Sequence, residues 1–236
     1  MSLSSYVIQD REKIDLNDIR LSVQNREHLE QLLKENLYTE KLQKYNLPVN
    51  NKLMLHGPSG CGKTSTAKAI AQKLGKNLYI LDLSTIVSSR IGETAINLKS
   101  VFQKVARERA VLFIDEFDHI GKTRGGDERE VGEMRRMVNT LIQLIDYFPE
   151  NALLIAATNH LDIVDQALVR RFQIVLTYEQ PSKAELDSFY EELLTQFPEQ
   201  FRAIDRVYDL SYAETKDYVF TAVKRNIIAD IELKDI

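Results

Sequence analysis

The stretch LMLHGPSGCGKTSTAKAIAQKL, residues 53–74, confines the chain to a small set of folds. The chain has nine glycines in 236 residues, and three of them, Gly57, Gly60 and Gly62, stand in one turn with Lys63 and Thr64 directly after. An apolar run precedes the turn and a helical pattern follows it, ending at Gly75 as a C-terminal stop. The turn fits G-x-x-x-x-G-K-[ST], whose glycines let successive N–H groups point into one concavity suited to phosphate oxygens. The helix from Lys63 adds unpaired N-terminal donors and its dipole. On this reading Gly57, Pro58, Ser59, Gly60, Cys61, Gly62, Lys63, Thr64 and Ser65 line a triphosphate. Lys63 bridges the β- and γ-phosphates and the Thr64 hydroxyl ligates Mg2+. The plain alternative is an ordinary glycine-rich turn, which the flanking strand and helix argue against. Cys61 occupies a variable slot; a small space-filler is the simple reading and a redox switch the other.

Five apolar runs, LMLH (53–56), LYILDL (78–83), AVLFID (110–115), ALLIAAT (152–158) and QIVLT (173–177), do not alternate with polar residues. That marks strands buried on both faces, as in a parallel sheet. Helical patterns lie between them. One places Ile96, Val101, Phe102 and Val105 on one face, and another does so with Met134, Met137, Leu141, Leu144 and Ile145. The expected fold is an α/β doubly wound sheet. Residues 26–45 read as an amphipathic helix ahead of the first strand. After Pro181 two helical stretches, 182–197 and 211–231, follow with no strand between them. The division expected is an N-terminal linker and helix (1–46), an α/β core (47–180) and a small helical lid (181–236).

Composition narrows the function. The net charge is −4, so nothing resembles the basic surface a nucleic-acid binder needs. One cysteine rules out a disulfide framework or a cysteine-rich zinc site. The N-terminus MSLSSYVIQDREK is polar, and no apolar run approaches the ~18–20 residues that span a bilayer. The chain is expected to be soluble and cytoplasmic.

Hydrolysis needs a metal shell and a group that orients water. VLFIDEFD (111–118) brings Asp115 and Glu116 to the carboxyl end of a buried strand, the edge where open α/β sheets bind ligands. Asp115 suits the Mg2+ shell and Glu116 the attacking water. Asp118 reads as a loop or capping residue and His119 as a bystander. With these motifs together, the chain resembles an AAA+ ATPase of the narrow-sense AAA family with a single module. GPSGCGKT is similar to the Walker A motif of that family and VLFIDE to its Walker B. The resemblance implies a P-loop NTPase fold with a five-stranded parallel sheet, order 5-1-4-3-2 in the numbering of the five runs, and a helical lid. AATN (156–159) resembles sensor 1, which implies that Asn159 reaches the γ-phosphate or the lytic water; its plain alternative is a turn or N-cap residue. IDYF (145–148) resembles the inter-subunit signalling motif, with Tyr147 where glycine is usual, and LSYAE (210–214) the start of the sensor 2 helix. DQALVRRFQ (165–173) resembles the arginine-finger segment, with Arg170 and Arg171 adjacent; the alternative pairs one of them with an acid such as Asp165.

The resemblance implies ATP and Mg2+ as cofactors, a ring oligomer, hexameric with ATP, and a protein client. At the pore position the chain reads Arg90-Ile91-Gly92, with a cation where an aromatic is usual, which puts threading of polypeptide in question. No H-e-x-x-H protease motif is present. Three functions stay open: an ATPase that remodels a protein partner, a nucleotide-switched assembly module with little turnover, and a DNA-linked AAA+ protein, which the acidic balance opposes.

Overall fold

The computed structural model of the protein describes residues 7–83, 93–120 and 128–234. The expectation at Arg90, Ile91 and Gly92 therefore lies outside the described residues. The chain divides into two compact units, Met1–Gly57 with Lys63–Thr177, and Pro58–Gly62 with Tyr178–Ile236.

The first unit is built on six strands: β1 (Val7–Asp10), β2 (Lys52–His56), β3 (Leu78–Asp82), β4 (Val111–Asp115), β5 (Leu153–Thr158) and β6 (Ile174–Thr177). They lie in the order β1-β3-β4-β5-β2-β6. Read from the β6 edge, the five apolar runs stand in the expected order and all pair in parallel. The sixth strand corrects the expectation of five. β1 joins the β3 edge antiparallel, Val7 opposite Leu81 and Asp10 opposite Leu78. VIQD is short and mostly solvent-facing, with Ile8 71% exposed, so it carries none of the apolar continuity that betrays an inner strand. At the end of β1 Asp10, and just past it Glu12, pair with Lys68 at 2.9 and 2.5 Å.

Alternation along each inner strand supplies both faces of the sheet. Met54, Leu112, Ile114, Leu154 and Ala156 belong to one core. Against them pack α4 (Glu93–Glu108) through Leu98, Val101, Phe102 and Val105, and α5 (Glu128–Asp146) through Met137, Leu141 and Ile145. Leu98, not Ile96, completes the buried stripe of α4, because 98, 101, 102 and 105 share one helical face; Ile96 is 65% exposed. The residues of opposite parity, Leu53, Leu55, Phe113 and Ile155, are equally buried. α3 (Lys63–Leu74) packs against β4 and β5, and α1 (Val23–Leu37) against α3 and β6.

The helix expected over 26–45 is two helices, α1 and α2 (Thr39–Gln43), parted at Tyr38. The Ser22 side chain caps α1 by accepting from the Asn25 N–H, and the Asn25 amide donates to the Thr177 carbonyl of β6 at 2.8 Å. At the end of α3, Gly75 takes φ +63° and the Lys76 N–H donates to the Ala71 carbonyl, the left-handed stop expected there. A short helix, α6 (Gln166–Val169), precedes β6.

In the second unit α7 (Lys183–Leu194) and α8 (Tyr212–Lys234) share a core of Leu186, Tyr190, Leu193, Leu194, Val219 and Val223. Both helices begin with reciprocal caps. Ser182 and Glu185 exchange side-chain and backbone bonds at α7, as do Ser211 and Glu214 at α8. The Ser211 hydroxyl and then its N–H hold the Glu214 carboxyl below the ordinary range. Among the described residues no helix is long and apolar enough to cross a membrane.

Candidate active site

The glycine turn leaves the carboxyl end of β2 and enters α3. Gly57, Gly60 and Gly62 have φ of +143°, +74° and +101°, conformations that side chains resist. This explains why a chain sparing with glycine concentrates it here. The Gly57 N–H donates to the Thr158 carbonyl at the tip of β5, which anchors the start of the turn. Thr64 and Ser65 lie in the first turn of α3, half-buried, while Pro58 and Ser59 are exposed. Cys61 is buried, its sulfur 3.7 Å from the Ser59 carbonyl and 3.8 Å from Gln180 Oε1.

Gly60 is constrained twice. Besides its positive φ, a Cβ built on it stands 2.3 Å from Ser211 Oγ and 2.8 Å from Ser211 Cβ. The Ser211 hydroxyl donates to Glu214 at 2.7 Å, so it cannot swing away without breaking the cap of α8. Gly60→Ala is therefore expected to destabilise the chain by about 2–4 kcal/mol. A urea titration against the parent protein measures it, and an unchanged midpoint would contradict this packing.

Lys63 is 8% exposed. Its ammonium donates to the Gly57 carbonyl at 2.6 Å and to Asn159 Oδ1 at 2.8 Å. The lysine of the turn and the asparagine after β5 are thus brought together directly. Asn159 contacts the lysine, an engagement that neither an N-cap nor a simple turn role would need. Thr158, just before it, is locked: its hydroxyl donates to Asp118 Oδ1 at 3.0 Å and accepts from the His160 N–H at 3.0 Å.

Asp115 and Glu116 leave β4 at the same sheet edge. Ile114 pairs with Ala156, and His56 with Thr158, so the tips of β4, β5 and β2 end together. Asp115 is half-buried and Glu116 exposed. The Glu116 N–H donates to Asp115 Oδ1 at 2.9 Å. Glu116 holds φ +50°, a left-handed conformation that costs a residue with a Cβ about 1–2 kcal/mol. Strain of this kind is retained where the surrounding structure enforces it, and it gathers at functional sites.

Two residues set aside in the sequence reading have partners. Asp118 is 3% exposed and accepts from Thr158, so it is a buried brace between β4 and β5 and not a loop or capping residue. His119 Nε2 stands 3.1 Å from Glu116 Oε2, so it is no bystander. An acid followed three residues later by a histidine can meet across one turn of helix, and the short helix Phe117–Ile120 provides that turn.

The adjacent arginines are unequal. Arg171 makes a two-pronged contact with Asp146, Nε to Oδ1 at 2.8 Å and Nη2 to Oδ2 at 3.0 Å, and also donates to the Ala167 carbonyl. Arg170 is exposed. Asp165 caps α6, accepting from the Ala167 N–H at 2.7 Å, so the acid that pairs with an arginine here is Asp146. Tyr147, next to Asp146, is 87% exposed.

The model of the ATPase family associated with various cellular activities (AAA) matches residues 53–180, from β2 to just past β6. The chain belongs to the AAA family of ATPases. Nucleotide binding and ATP hydrolysis are the general activities that go with AAA membership, and oligomers are typical of it. Over 215 residues the chain is 37% identical to the uncharacterized AAA family ATPase y4kL of Sinorhizobium fredii, covering 90% of this chain and 65% of that protein. Over 122 residues it is 40% identical to the ATP-dependent zinc metalloprotease FtsH of Lachnoclostridium phytofermentans, covering 50% of this chain and 21% of that protein. The chain thus spans just under two thirds of the first relative and about a fifth of the second.

Proposed function

We propose that this AAA chain binds Mg-ATP on the 57–65 turn, hydrolyses it, and couples turnover to remodelling a protein partner. The observation that carries the reading is the Lys63 ammonium held between Gly57 and Asn159, beside a strand tip that ends in two acids. A buried ammonium in the first turn of a helix, beside a glycine of positive φ, suits the β- and γ-phosphates. Asn159, already on Lys63, would exchange that contact for the γ-phosphate or the lytic water. Thr64 and Asp115 offer a hydroxyl and a carboxylate, the hard oxygen donors magnesium takes, and would hold it. Bound with the nucleotide, magnesium supplies charge neutralisation on the phosphates. Glu116 would orient and polarise the attacking water.

In this reading residues 47–180 form the catalytic core, 181–236 the lid and 1–46 an N-terminal appendage. The active assembly is a ring, hexameric with ATP, that works in the cytoplasm on a protein client. The inequality of the arginines supports Arg170 as the finger: it would reach a neighbouring subunit's nucleotide, while Arg171 is committed to Asp146. The test is phosphate release from Mg-ATP at increasing protein concentration, where the rate per chain should rise as rings form. Arg170→Ala is expected to lower that rate by about 10³-fold or more. Arg171→Ala is expected to leave most of it, with a melting temperature lowered by about 2–4 °C. The reverse pattern would transfer the finger to Arg171. A rate per chain independent of concentration, with tight ATP binding, would favour the nucleotide-switched module.

A further inference from the structure

The short helix Phe117–Ile120 after β4 is fastened at three of its four positions. Phe117 and Ile120 are 0% and 2% exposed in the core. Phe117 meets the Phe172 ring edge-to-face at 5.7 Å. Asp118 is fixed by the Thr158 hydroxyl. The fourth residue, His119, is the one whose side chain turns back to Glu116, with Nε2 3.1 Å from Oε2. Its own N–H donates to the Glu116 carbonyl at 2.9 Å, which closes the turn.

A carboxylate that is to polarise water needs one oxygen presented at a fixed angle, and Glu116 is a long side chain, about half-exposed, on a strained backbone. Left to itself it would sample several rotamers at a cost in turnover. We propose that His119 is a positioning residue for ATP hydrolysis: its Nε2, 3.1 Å from Glu116 Oε2, is close enough for the imidazole to serve as the donor that holds the carboxylate and leaves Oε1 to water. Asp118 and Thr158 supply the rigidity behind it. The same Thr158 anchors Gly57 through its carbonyl and precedes Asn159, so one brace sets the base, the phosphate turn and the sensor.

This inference rests on the ATPase reading of the site, and the experiment separates the two. Steady-state ATPase of the full chain is compared for the parent protein, His119→Ala, His119→Gln and Glu116→Gln, with folding followed by thermal melting. His119→Ala is expected to lower kcat about tenfold with KM for ATP unchanged. His119→Gln, whose amide can still donate, is expected to recover to within about threefold of the parent. An unchanged or raised kcat in His119→Ala overturns the inference, as does a glutamine variant no better than alanine when both melt like the parent. If Glu116→Gln also hydrolyses ATP normally, the reading of the whole site fails with it. If Glu116→Gln is inactive while His119→Ala is normal, only the role of His119 is lost.

Discussion

Glu116→Gln should bind ATP as the parent does and lose about 10²–10⁴-fold in turnover. The substitution is nearly isosteric, so what it removes is charge and basicity. Its backbone N–H still donates to Asp115, and the turn to His119 closes through backbone groups that the change does not touch. His119 can still approach the amide oxygen as it does the carboxylate. Asp115 keeps its carboxylate, so the expected magnesium donors survive and affinity has no cause to fall. The amide cannot accept a proton from water as a carboxylate can, and the barrier to hydrolysis rises accordingly. Single-turnover phosphate release together with calorimetric titration of ATP separates the two quantities. Undiminished turnover would remove Glu116 from the chemistry; lost binding would mean that it serves the nucleotide and not the water. Under the proposed remodelling function, the arrested variant held in ATP should keep a client bound, and co-purification from its native cells tests that.

The parts of this protein that sequence reveals are those in which a local pattern and a global need coincide. The 57–64 turn announces itself because phosphate-cradling backbone needs glycine, and glycine is rare elsewhere in the chain. Four of the parallel strands, β2 to β5, are legible because they are inner and burial on both faces erases alternation; β6 is the other edge, with Val175 and Thr177 exposed, so the expectation of burial on both faces fails there. β1 follows no such rule: it is an edge strand of four residues whose place depends on backbone pairing with β3. Ile96 misled because an apolar residue near a stripe need not lie on it, and angular position decides. The site divides in the same way. Lys63, Thr64, Asp115 and Glu116 are the candidates that motif chemistry names, whereas Asp118 takes its meaning from a tertiary neighbour and His119 from the short helical turn that brings it back to Glu116. Thr158 is 40 residues from Asp118 in sequence, and no local pattern predicts a hydrogen bond at that separation. Arg171 and Asp146 are likewise 25 residues apart, and only their contact distinguishes the two arginines.

Lys63→Ala should weaken Mg-ATP binding by about 100-fold or more, about 2.7 kcal/mol. Lys63 is almost entirely buried, so its ammonium has already shed most of its water, and the Gly57 and Asn159 oxygens are among the groups that hold it. A triphosphate offers the same donors a negative charge at little further desolvation, and the exchange strengthens each bond. Arginine would be a poor substitute, because its planar fork cannot occupy the point between those two oxygens. Alanine removes the charge and leaves the Asn159 amide without its lysine partner, so both the phosphate seat and the sensor should suffer. Thermal denaturation provides a readout independent of turnover. At a ligand concentration of about 100 Kd, the parent gains about 2.7 kcal/mol from binding. At the same concentration a variant 100-fold weaker gains about 0.4 kcal/mol, so its melting curve should barely move. Equal shifts in the two proteins would place the nucleotide somewhere other than this turn, and the roles assigned to Thr64, Asn159 and Glu116 would fall with that of the lysine.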